Sequence, residues 1–246
     1  MNDLDRLRGV WGELGREDPL WAVLSSPDKK GGRWDVDEFF ATGRLEIDDH
    51  VGALAAMGLP RVRARAVDFG CGAGRLSQAL AGHFEETIGV DVSPSMIATA
   101  RALGAQVANL RFIENATARL PMIEDASVDF VYSNMTLQHI PTVLAEGYVE
   151  EFLRVLAPGG VASFQFVGGP DASLRGRLYA ALPNRWLNPL RRVLWRRSAV
   201  FEMHALDESR LHAMLARHPD MRLAIAMEDR AAGAGWTGRR WIVARD

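Results

Sequence analysis

The sequence predicts an α/β fold, with a doubly wound and mostly parallel sheet covered by helices on both faces. From about residue 63 onwards, short apolar runs alternate with amphipathic segments, which is typical of a parallel sheet. A second observation is the stretch Asp68–Arg75, in which Gly70, Gly72 and Gly74 stand at alternate positions after the first apolar run. Because glycine permits positive φ and close approach of a ligand, this turn predicts a ligand site at the edge of the sheet.

Seven segments have the apolar and β-branched character of strands, namely 64–67, 87–91, 110–114, 128–133, 161–167, 222–227 and 239–244. Helices are predicted between them, for example after Ser93, where serine is the N-cap and Pro94 the first helical residue. Ahead of the first strand, apolar spacing and helix breakers predict helices over 4–14, 20–24, 35–43 and 47–57. We therefore expect residues 1–60 to form a helical extension of a main domain, residues 61–246.

Composition sets limits on the class of protein. The chain has 246 residues, 48% hydrophobic and 24% charged, with a formal net charge of −2, so no general attraction to nucleic acid is predicted. Cys71 is the single cysteine, which excludes an internal disulfide framework and a cysteine-based metal cluster. The first residues lack the pattern of a secretion signal, and no apolar run is long enough to span a bilayer, so we expect a cytoplasmic protein.

The glycine turn differs from the dinucleotide-binding fingerprint G-x-G-x-x-G, because Arg75 stands where the third glycine is required. The turn instead resembles motif I of the class I S-adenosylmethionine-dependent methyltransferases. Three further stretches match that family in the correct order: residues 115–121 after the third strand, 127–133 at the fourth strand, and the turn 156–160 before the fifth.

The resemblance runs from about Arg63 to the last residue. It implies a seven-stranded sheet with an antiparallel last strand and S-adenosylmethionine as the cofactor. It also implies that residues 1–60 lie over the cofactor cleft, and that residues 170–205 are an insertion that covers a small-molecule acceptor.

The residues that the resemblance assigns to the cofactor lie at the ends of the first four strands. Asp91 ends the second strand, where a carboxylate can accept hydrogen bonds from ribose hydroxyls; NAD proteins share this feature, and a capping or turn aspartate is the alternative. Asn115 replaces the aspartate with which many members hold the adenine. The full set is Asp68, Gly70, Gly72, Gly74, Arg75, Asp91, Asn115, Ala116 and Ser133.

The methionine carboxylate of the cofactor requires a cation or N–H donors, for which Arg75 and Arg44 are candidates. Arg75 begins a helix, where the dipole opposes a cation, so an anionic partner would account for it; an exposed arginine is the alternative. The nearby stretch Phe39–Arg44 either covers the cleft as a lid or packs its aromatic residues onto the sheet.

His139 is the candidate catalytic base, because its loop leaves the edge of the sheet after the fourth strand. An unperturbed histidine, with a pKa of about 6.5, suits a general base; a histidine that caps a helix or packs on the cofactor is the alternative. Glu202 and His204 alternate with apolar residues and are candidate substrate-binding residues. With His139 they could hold a divalent ion, but such scattered ligands are weak support for a metal, so no metal site is predicted.

Residues 170–198 carry seven arginines and one acid, Asp171. Apolar residues recur among them at helical spacing, which predicts a basic amphipathic helix within 175–197. Such a helix covers an anionic substrate, makes a weak contact with a membrane surface, or packs on its own domain. We favour the substrate lid.

The sequence therefore predicts an S-adenosylmethionine-dependent methyltransferase that acts on a hydroxyl of a small molecule, such as a sugar, a polyketide or another natural-product scaffold. N-methylation of a small molecule is the first alternative, because an amine with a free lone pair depends less on a base. A non-catalytic nucleotide-binding module of the same fold and an NAD-dependent oxidoreductase are the others. Nucleic acid is not an expected partner, and we expect a monomer or a homodimer.

Overall fold

The computed structural model describes residues 2–181 and 202–246, which form a seven-stranded sheet flanked by helices. The helices are α1 (Asp3–Glu17), α2 (Pro19–Val23), α3 (Val36–Ala55), α4 (Arg75–Leu80), α5 (Pro94–Leu103), α6 (Thr142–Val155), α7 (Leu174–Ala181) and α8 (Glu208–Leu215). The strands are β1 (Arg65–Phe69), β2 (Glu86–Asp91), β3 (Leu110–Glu114), β4 (Val128–Ser133), β5 (Leu156–Pro170), β6 (Met221–Glu228) and β7 (Trp236–Arg245). Single 3-10 turns occupy Pro27–Lys29, Leu137–His139 and Arg230–Ala232. Every strand overlaps a segment predicted from apolar character.

The strand order in the sheet is β3-β2-β1-β4-β5-β7-β6. Strands β1 to β5 are parallel, and β7 runs antiparallel to both of its neighbours, β5 and β6. This confirms the predicted doubly wound sheet with an antiparallel last strand. The order reverses between β1 and β4, and open α/β sheets bind ligands beyond the carboxyl ends of their strands at such a switch point.

Strand β4 shows how the sheet buries both of its faces. Its side chains alternate: Phe130 and Tyr132 join the core formed with α3 and α4, whereas Val131 joins the core formed with α6. Leu80 of α4 and Phe152 of α6 are fully buried on the two sides. Burying an apolar side chain of this kind contributes about 1.5–3 kcal/mol, so both helical layers hold the sheet and its edge in place.

Helix α3 is continuous over Val36–Ala55, although the sequence predicts two helices separated near Gly43. Gly43 faces helix α4: a Cβ at this position would lie 2.9 Å from the Cγ of Arg75 and closer still to its backbone carbonyl oxygen. The glycine is there to let two helices approach, and it does not end α3. The aromatic residues of Phe39–Arg44 are buried, which supports the packing interpretation of this stretch over the lid.

Helix α1 lies across the carboxyl edge of the sheet and is held there by polar contacts. The Ser95 hydroxyl, in the first turn of α5, donates to the carbonyl oxygen of Gly12 at 2.8 Å. Arg8 forms an ion pair with Glu114, the last residue of β3. The N-terminal extension therefore contacts the edge at which a ligand site is expected.

Most of the arginine-rich connection lies outside the described residues. Arg175 and Arg177 belong to α7, whereas the other five arginines and the predicted apolar stripe fall between residues 182 and 201. The amphipathic helix, the substrate lid and the membrane contact therefore stay predictions. Within the two described ranges, no helix combines the length and the apolar character needed to cross a bilayer.

Candidate functional site

A cavity of about 520 Å³ lies at the carboxyl edge of the sheet, beside α1. Its walls come from the glycine turn, the ends of β1 and β2, the loop after β4, helix α1 and the residues that follow α2. Pockets for small molecules commonly enclose ~300–1,000 Å³, so this volume suits such a ligand. Most of the lining side chains are apolar, and several polar ones, such as Asp91, Asn115 and Asn134, lie near the ends of the central strands.

The turn after β1 has a backbone that glycine adopts readily and other residues do not. Gly70, Gly72 and Gly74 have positive φ values of 76°, 52° and 86°. Gly70 and Gly72 line the cavity, whereas Gly74 faces the core. Asp68 lies behind the turn, where its carboxylate accepts a hydrogen bond from the Ser77 hydroxyl at 2.6 Å and burial raises its pKa to about 7. Asp68 therefore supports the turn from within and does not line the cavity.

Asp91 ends β2, lines the cavity and joins the glycine turn to helix α5. Its Oδ2 accepts the N–H of Gly72 at 2.9 Å, and its Oδ1 accepts the N–H of Ser93 at 2.8 Å. Burial raises the pKa of this carboxyl, and the two N–H donors oppose that shift. Each carboxylate oxygen has a second lone pair, so Asp91 can serve as a turn residue and still accept hydrogen bonds from a ligand.

Arg75, the first residue of α4, is 2% exposed, which overturns the exposed-arginine alternative. Its Nη2 donates to Glu46 at 2.7 Å and its Nη1 to the Thr42 hydroxyl at 3.3 Å, both on α3. Its Nε is buried and has no hydrogen-bond partner among the described residues. Because Arg75 also lines the cavity, its Nε–H is a donor for an anionic group of a ligand. Arg44, the other candidate, is exposed and lies outside the cavity wall.

Three further residues assigned to the cofactor are placed less directly. Asn115 lines the cavity, but its amide donates to the carbonyl oxygens of Thr117 and Arg119, and its Oδ1 accepts from the Thr117 hydroxyl. Ala116 is exposed, and Ser133 is fully buried and donates to a carbonyl oxygen of β1. The amide of Asn115 is therefore committed to its own loop, and the cofactor roles of all three residues stay predictions.

The loop after β4 reaches the cavity in a strained conformation fixed by hydrogen bonds. Met135 has a φ of 55°, which is uncommon for a residue other than glycine, and its N–H donates to Oε1 of Gln165 at 3.1 Å. The Asn134 side chain donates to Glu46 at 2.6 Å and accepts from Arg240 at 2.8 Å. These contacts tie the cavity wall to α3 on one side and to β7 on the other.

His139 lies in the 3-10 turn that follows this loop and lines the cavity. Its ring packs edge-on against Trp11 of α1, with 5.4 Å between centroids. Its Nδ1 lies 2.9 Å from the backbone oxygen of Glu202, and its Nε2 lies 3.2 Å from Nε2 of Gln138. Burial lowers the pKa of His139 from 6.5 to about 4, so the imidazole is neutral at neutral pH.

The segment 202–206 lies beside the cavity, but its two predicted substrate residues contact each other, and Glu202 is also paired with Arg6. An oxygen of Glu202 is 2.7 Å from Arg6 of α1 and 3.4 Å from Nε2 of His204. Met203, which lies between them in the chain, lines the cavity instead. Glu202 and His204 contact each other, and neither of them lines the cavity. Their substrate role stays a prediction.

Sequence reasoning missed the residues contributed by α1 and by the turn around His139. Leu4, Leu7 and Trp11 line the cavity, yet they belong to an ordinary apolar stripe that does not reveal whether it covers core or ligand. Gln138 is 4% exposed, and a buried amide signals a hydrogen-bond network. Nothing in the sequence marks this glutamine as buried. Across residues 2–181 and 202–246, no three His, Cys, Asp or Glu side chains are grouped as a metal ion would require.

Comparison with known proteins agrees with the fold. Residues 67–164 match the model of the methyltransferase domain family. Over this stretch, which is less than half of the chain, the sequence is similar to the class I S-adenosylmethionine-dependent methyltransferases. The matched stretch includes the glycine turn, Asp91, Asn115 and His139, so the similarity lies in the segment that forms much of the cavity wall.

Curated methyltransferases match about half of this chain, and a solved methyltransferase structure shares its fold. The trans-aconitate 2-methyltransferase of Variovorax paradoxus is 32% identical over 143 residues, which cover 56% of this chain and 51% of the relative. The enzyme of that name from Deinococcus radiodurans is 36% identical over 138 residues, 54% of this chain and 49% of the relative. The chain thus spans about half the length of the curated relatives it matches. The magnesium protoporphyrin IX methyltransferase of Synechocystis PCC 6803, solved with bound SAH, aligns over 100% of both chains with a TM-score of 0.64 and 18% identity, a likeness of fold.

S-adenosylmethionine is the cofactor of this family, and the residues at the cavity fit it. Gly70 and Gly72 bring bare backbone to the cavity wall, and Asp91 offers carboxylate lone pairs to ribose hydroxyls. The buried Nε–H of Arg75 matches a carboxylate such as that of the methionine moiety. The apolar remainder of the wall suits an adenine ring, whose faces are apolar.

Proposed function

We propose that this methyltransferase transfers the methyl group of S-adenosylmethionine to a hydroxyl oxygen of a small, largely apolar molecule. The observation that carries the proposal is the position of His139, a neutral imidazole in the cavity wall. Trp11, Met203 and the amide of Gln138 belong to the same part of the wall. One imidazole beside large apolar side chains suits an acceptor with one reactive hydroxyl on a hydrophobic scaffold.

The residues of the chain divide between holding the cofactor and holding the acceptor. S-adenosylmethionine supplies, when bound, a methyl group on a sulfonium, which is already a strong electrophile. Gly70, Gly72, Asp91 and Arg75 would hold it, while the apolar side chains of α1 exclude water from the acceptor. Positioning of this kind can supply ~7–11 kcal/mol of the barrier.

His139 would take the proton of the acceptor hydroxyl. An ordinary alcohol is a far weaker acid than an imidazolium, so His139 cannot remove its proton in advance. Once the oxygen has gained a methyl group while still carrying its proton, it becomes a much stronger acid than the imidazolium. Even an imidazole whose pKa is lowered to about 4 can then accept the proton. A base this weak shares the proton of a more acidic hydroxyl more readily during methyl transfer, which favours a phenol or an enol over the hydroxyl of a sugar.

A carboxylate acceptor is the second candidate, and the lowered pKa of His139 is the observation in its favour. A carboxylate is already ionised at neutral pH and needs no base. Relatives include trans-aconitate 2-methyltransferases and a malonyl-[acyl-carrier protein] O-methyltransferase of Enterobacter lignolyticus, 33% identical over 112 residues. Their acceptors are carboxylic acids or acyl groups by name, which supports an oxygen nucleophile in either case. A small-molecule amine, the N-methyl alternative, would likewise react without a base.

A matched acceptor panel tests the proposal. One aromatic scaffold carrying a phenol, an alcohol, an amine or a carboxylate would be incubated with S-adenosylmethionine, and S-adenosylhomocysteine and methylated product quantified together. We expect the phenol to be methylated fastest and its rate to depend on His139. Preference for the carboxylate or the amine, with no loss in His139→Ala, would reject the hydroxyl proposal. Absence of turnover with any acceptor, despite cofactor binding, would favour a non-catalytic module.

A further inference from the structure

A chain of hydrogen bonds runs from the backbone N–H of Met135 to the backbone oxygen of Glu202, through the side chains of Gln165, Gln138 and His139. The two ends of this chain have fixed roles, because a backbone N–H can only donate and a backbone carbonyl oxygen can only accept. The direction of each bond between them can therefore be deduced. Gln165 is fully buried and Gln138 is 4% exposed, so water does not replace these partners.

The first amide in the chain is oriented from both sides. Gln165 must present its carbonyl oxygen to the Met135 N–H, at 3.1 Å. Its Nε2 then donates to the backbone oxygen of Phe166 at 3.2 Å and to Oε1 of Gln138 at 3.1 Å. An inverted amide would set a donor against the Met135 N–H and an acceptor against the Phe166 oxygen, so a single orientation satisfies all three bonds.

The second amide passes this orientation to the histidine. With its Oε1 occupied by Gln165, the Gln138 side chain directs its Nε2, a donor, at Nε2 of His139, 3.2 Å away. That histidine nitrogen must therefore carry a lone pair. In a neutral ring the proton then lies on Nδ1, where it donates to the backbone oxygen of Glu202 at 2.9 Å. With these assignments, every donor in the series of hydrogen bonds from Met135 to Glu202 faces an acceptor.

A protonated His139 would not satisfy the chain. Both ring nitrogens of an imidazolium are donors, so Nε2–H would face the N–H of Gln138. Among the described residues, the ionisable groups around the ring are His204 and Glu202 on the segment beside it, with Arg6 of α1 paired to Glu202. His204 disfavours a positive charge on His139, and the Glu202 carboxylate is already paired with a guanidinium.

We propose that Gln165 and Gln138 are positioning residues that fix His139 as the Nδ1–H tautomer, with the lone pair on Nε2. Gln165 performs a second task, because the same carbonyl oxygen holds the strained backbone of Met135 at the cavity wall. The catalytic consequence rests on the proposed function: the lone pair on Nε2 can take the proton of a hydroxyl once the acceptor displaces the amide of Gln138 from it. The tautomer itself does not, and it can be observed without substrate.

The test is the 15N spectrum of the histidine ring in the full chain without ligand, with the His139 signals assigned by their loss in His139→Ala. We expect a protonated Nδ1 and a pyridine-type Nε2. In Gln138→Glu a carboxylate would accept from Nε2–H while the Glu202 oxygen still accepts from Nδ1–H, so the imidazolium is favoured and the midpoint of the His139 titration should rise by about 1–3 pH units. Gln165→Met should retain the Nδ1–H tautomer, which the Glu202 oxygen still requires, but should shift the Nε2 signal, because the orientation of Gln138 is then no longer imposed.

Gln78→Leu is the matched control, because it removes a glutamine amide of α4 whose Nε2 makes no hydrogen bond in the described structure. It should leave the His139 signals unchanged. An Nε2–H tautomer in the parent protein, or a His139 signal unmoved by Gln138→Glu, would overturn the proposal even if Gln165→Met fails to fold. A correct tautomer combined with full activity of His139→Ala would leave the positioning role standing and reject the base role instead.

Discussion

The guanidinium of Arg75, on α4, lies 2.7 Å from the carboxylate of Glu46, on α3, and the Arg75 side chain is only 3% exposed. The other carboxylate oxygen of Glu46 accepts hydrogen bonds from the Tyr132 hydroxyl and from the amide of Asn134. One residue of the N-terminal extension therefore satisfies a buried cation beside the glycine turn and two groups at the end of β4. The extension is part of the structure that holds the cavity wall.

We expect Glu46→Ala to lower the free energy of unfolding by about 3 kcal/mol or more, because it leaves the buried charge of Arg75 without its partner. Urea denaturation measures the change. Glu38→Ala is the control, since it removes another acid of α3 whose partner, Lys29, forms an exposed pair with it, and it should change stability little. Equal effects of the two substitutions would show that the Arg75–Glu46 pair does not stabilise the fold.

Gly43→Ala should destabilise the protein by about 1–3 kcal/mol, the usual result of adding a methyl group where there is no space. The added Cβ would press on the Arg75 backbone and separate α3 from α4. Gly52→Ala, on the same helix, is the opposite case, because a Cβ there meets nothing within 4 Å. It should stabilise by about 0.5–1 kcal/mol through helix propensity. A pair of thermal unfolding curves checks both signs.

These two glycines show where prediction from sequence stops. The strands and the glycine turn can be predicted from the sequence because their causes are local. These causes are the spacing of apolar side chains along a buried strand and the positive φ that glycine permits. From the sequence alone Gly43 indicates a helix end. The contact that requires a glycine at this position is with Arg75, which lies on another helix. The place of Arg75 depends in turn on Glu46, 29 residues earlier in the chain. Contacts of that kind leave no mark in a single sequence.

The same limit applies at the cavity. Asp91 and His139 were predicted as site residues from their positions after β2 and β4, and both line the cavity. Glu202 and His204 are predicted as substrate-binding residues, but Glu202 is paired with Arg6 of α1, and the position of α1 over the edge depends on tertiary packing. The pKa of His139 differs from that of an unperturbed histidine for a related reason: the burial that lowers it cannot be predicted from the residue type.

Asp91→Ala should weaken binding of S-adenosylmethionine by about 1.5–3 kcal/mol, the range for hydrogen bonds to a charged group. It should also lower stability, because the N–H groups of Gly72 and Ser93 lose their acceptor. Calorimetric titration measures the first effect and thermal unfolding the second. Glu114→Ala, at the end of the neighbouring strand, is the control and should not change affinity. Unaltered affinity in folded Asp91→Ala would remove Asp91 from the cofactor site.

His50 should make the stability of the protein depend on pH. Its ring contacts Tyr132, its Nε2 has no hydrogen-bond partner among the described residues, and burial lowers its pKa to about 4. The unfolded chain binds a proton at a higher pH, near 6.5. Stability from His50 is therefore complete above about pH 6.5 and is lost as the pH falls through 4. His50→Phe should reduce this loss by on the order of 2 kcal/mol. Parallel loss in both proteins would contradict the assignment.

The last prediction concerns His139 and the reaction. If the acceptor is a hydroxyl whose proton passes to this imidazole, His139→Ala should lower turnover by ~10²–10⁴-fold. Affinity for S-adenosylmethionine should barely change, because the ring acts on the acceptor. His139 is protonated only near pH 4, so the rate should stay level as the pH falls through 6.5 and then fall toward pH 4.

Two further histidine variants decide whether that result belongs to His139. His218→Ala, which removes a histidine paired with Glu150 away from the cavity, should leave turnover unchanged. His204→Ala breaks the contact with Glu202, whose backbone oxygen holds Nδ1 of His139, so a modest loss is expected. A loss in His204→Ala larger than in His139→Ala would make His204 the base. Full activity in both would mean that the acceptor is already nucleophilic, as a carboxylate or an amine is, because only a neutral hydroxyl requires a residue to take its proton.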